Sequence, residues 1–251
     1  MNNNLRAHYV PSECLTVDEQ LFPYRGRTRF TQYMPAKPAK YGIKIWWVCD
    51  SLNSYPLTGQ IYTGKSPKGR EQNQGERVVK DLCYRYKNTG RNIVVDNFFT
   101  TLPLARLLLS WGLSIVGTLK KNKPYIPSQM LAHKSRPTAS SLFGFSDDKI
   151  TMVSYVPKPK KAVILLSTMH HTTDVSGPKR KPEIIEYYNS GKGGVDCMDK
   201  MVSHYSIKRK TRRWPVAMFY NMLDIACLAS FIIYMQNNPM ESRKNERRRI
   251  F

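Results

Sequence analysis

The stretch KGGVDCMDKM, residues 192–201, carries two aspartates three residues apart inside an apolar pattern of helical period. The predicted buried stripe of this helix consists of Val195, Met198, Met201, Val202 and Tyr205. A step of about 100° per residue then puts Asp199 at the edge of the stripe and Asp196 about 60° beyond it, so both face a cleft or solvent. Two explanations remain open for this stretch alone. The acids complement the helix dipole, with Asp196 paired to Lys200, or they belong to a site.

Two further aspartates lie in strand-like runs. Asp96 ends the run NIVVD, the place where an open α/β sheet presents side chains to ligands, and Asp18 lies in the run ECLTVDEQLF. Considered one at a time, each aspartate is explained as well by a turn or capping role as by a binding role. Taken together, carboxylates suit hard cations such as Mg²⁺ or Mn²⁺. Two such ions about 4 Å apart activate a water or a 3′ hydroxyl at a phosphodiester, so a two-metal site is one prediction.

The charge of the chain indicates a polyanionic partner. Lys and Arg number 40 and Asp and Glu 18, a formal net charge of +22. This favours nucleic acid before a membrane surface, with a merely basic soluble protein as the alternative. Two segments concentrate the charge, LKKNK at 119–123 and IKRKTRRW at 207–214. They are predicted to contact phosphates, with Trp214 stacked on an unpaired base; the alternative is a solvated basic face with Trp214 in the core.

Cysteine usage and hydropathy exclude several other classes of protein. The five cysteines include no CxxC pair, so neither a disulfide framework nor a zinc site is expected, and the compartment is expected to be reducing. The N-terminal residues lack the apolar core of a signal peptide. Asn221 and Asp224 interrupt the long apolar run 216–235, and an acid near a bilayer centre costs about 3 kcal/mol. We therefore expect a buried helix there.

The order of the predicted elements indicates an α/β fold. YGIKIWWVCD alternates with the period of a strand, and ERVVKDLCYRY has one apolar helical face. The strand NIVVD and the helix TLPLARLLLSWG follow, with Thr101 as N-cap and Gly112 beyond the helix end. The run RRWPVAMFYNMLDIACLASFIIYM predicts a long helix with Pro215 in its first turn. Strand, helix, strand order implies a layered sheet with helices.

Between these parts lies a segment of different character. ITMVSYV, AVILLS and EIIEYY are interpreted as short β-rich runs separated by basic turns. The sequence thus predicts a core at 1–122 and 186–238, an inserted β-rich domain at 123–185, and a basic tail at 239–251.

An ordered set of motifs then resembles the piggyBac transposases over about residues 8–236. The motifs are LTVDEQL, MPAKPAKYGIKI, NIVVDNFFT, IVGTLKKNK, SRPTASSLF, VSYVPKPKK, YYNSGKGGVDCMDKM and RKTRRWPVAMFYNMLDIACLASFIIY. The resemblance implies an RNase H-like mixed sheet flanked by helices with an inserted small β-rich domain. It also implies that Asp18, Asp96 and Asp196 are the catalytic, metal-binding acids, with Asp199 as a fourth acid; the expected cofactor is Mg²⁺ or Mn²⁺, as two ions.

The resemblance further implies DNA strand cleavage and strand transfer at transposon ends, through a hairpin intermediate, with TTAA target sites. It places DNA contacts at Lys120, Lys123, Lys210, Arg213 and Trp214. With the other cations of the second basic segment, the predicted DNA-binding set is Lys120, Lys123, Lys208, Arg209, Lys210, Arg212, Arg213 and Trp214.

The implied partners are double-stranded DNA and a second copy of the chain, with no membrane and a nuclear location. GPKRKP, residues 177–182, is interpreted either as a nuclear localisation signal or as a solvated turn. Intact members of the family carry helical regions before the first acid and a cysteine-rich zinc module after the last helix. This sequence includes neither, so no zinc is expected. The rival hypothesis is a truncated or domesticated, non-catalytic DNA- or chromatin-binding protein.

Overall fold

The computed structural model describes residues 1–65, 69, 71–133 and 135–239. The chain divides into two compact units. Unit 1 comprises Met1–Ser12, Val17–Gln72 and Gly193–Phe251, and unit 2 comprises Glu13–Thr16 and Asn73–Lys192. The predicted basic tail lies outside the described residues except at Pro239. The predicted domain boundaries stay a prediction.

Nine strands form one mixed sheet. They are β1 (Cys14–Pro23), β2 (Thr31–Tyr33), β3 (Tyr41–Asp50), β4 (Pro56–Ile61), β5 (Asn92–Val95), β6 (Ser114–Thr118), β7 (Ser141–Ser146), β8 (Ile150–Lys158) and β9 (Lys161–Ser167). Their order is β2-β3-β1-β5-β6-β9-β8-β7, with β4 also paired to β3. The β5–β6 pair is parallel, with Val94 opposite Val116, whereas β6–β9, β8–β9 and β7–β8 are antiparallel. Two short strands, β10 (Val175–Ser176) and β11 (Lys181–Pro182), pair with each other.

Unit 1 contains the helices α1 (Asn2–Ala7), α5 (Gly194–His204) and α6 (Trp214–Asn237). The strand predicted from YGIKIWWVCD is confirmed as β3, but both of its faces are buried from Ile45 to Asp50. The helix predicted around the paired aspartates is confirmed as α5, and Val195, Met198 and Val202 are buried as expected. Tyr205 was predicted to be buried and is 39% exposed, because α5 ends at His204 and the chain turns away.

The long helix predicted near the C-terminus is confirmed as α6, with Pro215 in its first turn. By length and composition α6 is the one helix in the described part of the chain that is apolar enough to cross a membrane, a property that core helices share. Its buried face includes two polar residues, Asn221 and Asp224, each 1% exposed. A buried polar group is costly unless it is hydrogen-bonded, so both residues need partners within unit 1.

Unit 2 contains the helices α2 (Gln74–Cys83), α3 (Leu102–Ser110) and α4 (Glu183–Gly191). The predicted apolar face of α2 is confirmed, since Val78, Val79, Leu82 and Cys83 are buried. The predicted cap of α3 is also confirmed, because the Thr101 hydroxyl accepts from the Leu104 N–H at 3.2 Å. Gly112 follows with a left-handed φ of 63°, which glycine adopts at no steric cost.

The interpretation of EIIEYY as a β-rich run is wrong, because these residues begin α4. Ile184 and Ile185 are buried against residues of β6, β8 and β9, and Tyr187 and Tyr188 pack beside them. Glu183 and Glu186 in the first turn complement the helix dipole. The adjacent pairs of apolar residues suit a helix that lies on a sheet as well as they suit a strand, so the pattern alone could not separate the two.

Candidate active site

Unit 1 carries Asp18 on β1 and both Asp196 and Asp199 on α5. Lys37, between β2 and β3, places its ammonium beside two of these acids. Its Nζ lies 3.1 Å from Asp196 Oδ1, and the charges of Asp18 and Asp196 both act on it. The same nitrogen donates to the Glu19 carbonyl at 2.9 Å and lies 3.8 Å from Glu19 Oε1. A lysine to which the sequence analysis gave no role thus stands among the predicted acids.

Lys37 is held in place by a closed turn. Its N–H donates to the Met34 carbonyl at 3.1 Å, and its own carbonyl accepts from the Lys40 N–H at 3.0 Å. The Met34 N–H donates back to the Lys40 carbonyl at 2.7 Å, and Lys40 closes the turn with a left-handed φ of 55°. The Lys37 side chain is only 16% exposed. The ammonium is therefore positioned by the backbone and does not belong to a freely solvated surface lysine.

Burial shifts the protonation of the carboxyl groups. It raises the pKa of Asp18 to about 8, and the neighbouring Glu19 carboxylate adds to this rise while Lys37 opposes it. Burial also raises the pKa of Asp199, against a hydrogen bond from Gln20 and the charge of Lys37. For Lys37, burial acts to lower the pKa, but the surrounding carboxylates outweigh it and the pKa is raised. Burial thus favours the protonated forms of Asp18 and Asp199, and the charge of Lys37 opposes this effect only in part.

A buried glutamine connects the acids to α6. Gln20, two residues after Asp18 on β1, has no solvent exposure. Its Nε2 donates to Asp199 Oδ1 at 2.8 Å, and its Oε1 accepts from Trp47 Nε1 at 3.0 Å. The same oxygen accepts from Asn221 Nδ2 at 3.3 Å, so Asn221 finds the partner that its burial requires. Asp199 is therefore oriented by a network that joins β1, β3, α5 and α6.

Asp96 lies in unit 2, directly after β5 as predicted. Its Oδ1 accepts from the Phe98 N–H at 2.8 Å, and its carbonyl accepts from the Thr100 hydroxyl at 2.7 Å. Gly117 on β6 allows this turn to approach, since a Cβ there would lie 2.3 Å from Thr100 Oγ1. Asp96 thus has the turn geometry that was one of its two explanations, and its role in binding a metal stays a prediction.

The first predicted DNA-contact segment lies beside this turn within unit 2. The Lys120 ammonium is 5.6 Å from the centre of the Phe98 ring, and the Lys120 side chain is exposed. Lys123 is partly exposed and closes a turn in which its N–H donates to the Lys120 carbonyl at 3.3 Å. The Lys120 ammonium is thus near the loop that follows β5, where a phosphate could reach it.

The second segment forms a basic loop, residues 207–213, between α5 and α6 in unit 1. Its five cationic side chains are all exposed: Lys208, Arg209, Lys210, Arg212 and Arg213. Trp214 follows at the start of α6, meets the Phe30 ring edge-on at 5.3 Å, and is 39% exposed. Trp214 is therefore packed on one side without being fully buried, and its role in DNA binding stays a prediction.

The donor chemistry of unit 1 suits a divalent cation in part. Carboxylate oxygens are the ligands that Mg²⁺ and Mn²⁺ prefer, and the buried Asp18 carboxyl is more stable beside a positive charge. Across the residues that the structure describes, however, no group of three or more His, Cys, Asp or Glu side chains gathers closely enough to hold a metal ion. The predicted convergence of Asp18, Asp96 and Asp196, and the number of ions, stay predictions.

Sequence reasoning assigned no role to Lys37, Glu19 or Gln20, which complete the surroundings of the acids in unit 1. Lys37 lies in the MPAKPAKYGIKI motif, which carried the family resemblance without a function. Asn221 was noted only because it interrupts an apolar run, and that interruption is the one sequence signal that pointed to a buried polar network.

Comparison with known proteins decides the family. A family model described as Transposase IS4 matches residues 1–231. A solved piggyBac transposase, determined by cryo-EM as a synaptic complex with hairpin DNA, is 43% identical and has a TM-score of 0.90 over 98% of this chain. The chain belongs to the piggyBac transposase family. The mixed sheet flanked by helices is accordingly of the RNase H-like type, and the predicted fold class is confirmed.

Curated relatives are more distant. Human piggyBac transposable element-derived protein 3 is 25% identical over 224 residues, which is 82% of this chain and 38% of the relative. Human piggyBac transposable element-derived protein 2 is 22% identical over 245 residues, which is 90% of this chain and 41% of the relative. The piggyBac-family chain thus spans about two fifths of these two relatives and 52% of the solved transposase.

Proposed function

We propose that this chain is the catalytic core of a piggyBac-like DNA transposase. It cleaves DNA strands at transposon ends and transfers them to TTAA target sites with divalent metal ions. The observation that carries the proposal is the match to a transposase solved with hairpin DNA, at 43% identity and a TM-score of 0.90 over nearly the whole chain. Membership of a DDE-type transposase family also supports metal-dependent chemistry, since such enzymes generally use divalent cations.

Asp18, Asp96 and Asp196 are the proposed holders of two Mg²⁺ or Mn²⁺ ions, with Asp199 as a fourth acid. When bound, such ions lower the pKa of an attacking water or hydroxyl and stabilise the leaving oxygen of the phosphodiester. Gln20 orients Asp199 from one side, and the charge of Lys37 partly offsets the negative charges of Asp18, Asp196 and Glu19. Side chains of the chain itself thus stabilise the folded structure around these acids.

The DNA is held by side chains outside the acids. Lys120, Lys123 and the five cations of the basic loop contact phosphates, which position the duplex without reading its sequence. Trp214, exposed on one side, stacks on a base that is unpaired near the cleavage point. The net charge of +22 supports attraction to DNA over the whole surface.

Double-stranded DNA is the proposed partner, and the chain is proposed to work as a homodimer in the nucleus. The candidate localisation signal GPKRKP connects β10 and β11, where the Arg180 N–H donates to the Gly177 carbonyl at 3.0 Å. Residues 177–180 are exposed, so an import receptor has access to the motif. Fusion of residues 171–186 to a fluorescent protein tests whether the motif directs import into the nucleus. The molar mass of the whole chain in solution tests whether it is a dimer.

A nicking assay tests the catalytic proposal. Purified protein is incubated with Mn²⁺ and a labelled duplex that joins the neighbouring inverted repeat to a TTAA flank. The parent chain is expected to nick the strand at the repeat boundary. Asp96→Asn is expected to reduce nicking at least about a hundredfold while DNA affinity is unchanged or higher, because the change removes a metal ligand and a negative charge.

Asp148→Asn is the matched control, because Asp148 is an exposed acid of the same unit whose Oδ2 pairs with Arg106 Nη2 at 2.7 Å. It is expected to nick like the parent. An Asp96→Asn protein that nicks as fast as the parent would show that Asp96 is not a catalytic acid. Equal loss in both variants would point to unfolding or charge.

A second candidate function is DNA binding without cleavage. It is supported by the net charge of +22 and the exposed basic loop, which attract DNA whether or not the acids act on it. A protein that binds the duplex tightly but leaves it intact with either Mg²⁺ or Mn²⁺ has this second function and lacks the first.

A further inference from the structure

Asp224 has no explanation in the proposed chemistry, although it is 1% exposed in a mostly apolar helix. Both of its carboxylate oxygens accept hydrogen bonds from residues at the start of the basic loop, Ser206 just before it and Ile207 as its first residue. Oδ2 accepts from the Ser206 hydroxyl at 2.5 Å, and Oδ1 accepts from the Ile207 N–H at 2.9 Å. The cost of burying this carboxylate is therefore offset by fixing one end of the loop.

The far end of the loop has an anchor of its own. The Tyr24 hydroxyl donates to the Arg212 carbonyl at 2.6 Å, and Tyr24 is 3% exposed. Gly26 leaves room for this contact, since a Cβ there would lie 2.1 Å from the Tyr24 hydroxyl oxygen and 2.8 Å from the Arg212 carbonyl oxygen. Both ends of the loop are thus fixed to buried residues of unit 1.

Between the two anchors stand five exposed cations in six residues, which repel one another. Without anchors such a segment loses its shape, and each contact to DNA then costs the entropy of ordering it. We propose that Asp224 is a positioning residue that holds the basic loop in the shape that binds the DNA backbone. The inference rests on the proposed function, because it assumes that this loop contacts DNA.

The negative charge of Asp224 and its contacts to the basic loop predict opposite effects on DNA binding when Asp224 is removed. Asp224 is negative and adjacent to a loop that attracts DNA. If it acted only through charge, its removal would strengthen DNA binding. If it acts by holding the loop, its removal weakens binding even though the net charge rises. The direction of the change therefore separates the two.

Asp224→Leu is the principal variant, since a leucine suits the apolar face of α6, and the two donors that it leaves without Asp224 belong to exposed residues that water can reach. Tryptic cleavage of the metal-free, DNA-free protein at Lys208, Arg209 and Lys210 reports the shape of the loop. It is expected to accelerate at least about tenfold, the factor that corresponds to one lost hydrogen bond to a charged group. Affinity for a TTAA-containing duplex is expected to fall at least about threefold.

Ser206→Ala serves if Asp224→Leu does not fold, because it removes one of the two bonds and keeps every charge. The same two changes are expected, each smaller. Asp148→Asn, which removes an exposed acid far along the chain from the loop, is expected to leave loop cleavage unchanged and affinity unchanged or higher.

Faster loop cleavage together with weaker DNA binding in a variant that melts like the parent supports the inference. Unchanged cleavage, or tighter binding, in a folded variant overturns it. A parent chain that does not bind the duplex overturns the proposed function instead, while the cleavage rates still decide whether Asp224 holds the loop.

Discussion

The least expected residues of this chain are acidic side chains that are partly or fully buried. Asp18 is a partly buried carboxyl group and Asp224 a fully buried one, yet they are compensated differently. Asp18 has the ammonium of Lys37 as a counter-charge, whereas Asp224 has two hydrogen-bond donors at the start of the basic loop. A cation can be exchanged for another cation, but a pair of directed hydrogen bonds fixes geometry. The first arrangement suits a site that accepts metal ions, and the second suits an anchor.

Lys37→Met removes the counter-charge and retains most of the apolar stem. The variant is expected to lose roughly 1 to 3 kcal/mol of unfolding free energy in metal-free buffer, since Asp18, Asp196 and Glu19 lose the charge of Lys37. We expect a loss at the lower end of this range, because Asp196 is 64% exposed and solvent screens its charge. Millimolar Mg²⁺ is expected to stabilise the variant more than the parent, because a bound ion replaces the missing charge. Urea unfolding with and without Mg²⁺ measures both effects.

Lys40→Met is the control for Lys37→Met, because it removes the same charge from an exposed position of the same turn. It is expected to be nearly neutral, within about 0.5 kcal/mol. Equal losses in the two variants, or an equal response to Mg²⁺, would mean that Lys37 is an ordinary lysine of the turn.

At the scale of elements, the sequence predicted the helices and strands whose hydrophobic period and end residues both indicate the same structure. β3, α2, β5 and α3 follow from alternation, one apolar face, a short buried run and the Thr101 cap. α4 was not predicted, because Ile184, Ile185, Tyr187 and Tyr188 satisfy two periods and only their packing on the sheet selects one. Lys37 and Gln20 were missed because their partners are distant in sequence, on α5 and α6. Local patterns carry no information on such pairs.

The cap of α3 matters because this helix follows the turn that begins at Asp96. Thr101→Ala removes the acceptor for the Leu104 N–H and is expected to cost about 1 kcal/mol of unfolding free energy. Thr101→Ser keeps the hydroxyl and is expected to retain most of that stability. Chemical unfolding followed by far-ultraviolet circular dichroism measures both variants. A serine variant as unstable as the alanine variant would assign the loss to the methyl group instead of the cap.

At the scale of the whole molecule, the composition shows a surplus of 22 positive charges. It does not show which of these cations contact the chain's own side chains and which are exposed. Some cations are engaged with the chain's own groups, such as Lys37 with carboxylates and Lys87 with the rings of Tyr84 and Trp111 at 4.2 Å. The cations of the basic loop are exposed on a segment anchored at both ends. Equal charges are therefore expected to contribute unequally to DNA binding.

Salt dependence measures this inequality. The logarithm of the DNA-binding constant falls with the logarithm of salt concentration by about 0.9 for each phosphate contact. Combined replacement of Lys208, Arg209 and Lys210 by alanine is expected to reduce that slope by roughly 2 to 3, because each side chain stands for one contact. Combined replacement of Lys158, Lys160 and Lys161, exposed residues at the turn between β8 and β9, removes the same charge and is expected to change the slope by less than about 1. Equal slopes for the two triple variants would mean that net charge alone attracts DNA, and the basic loop would then have no privileged place in binding.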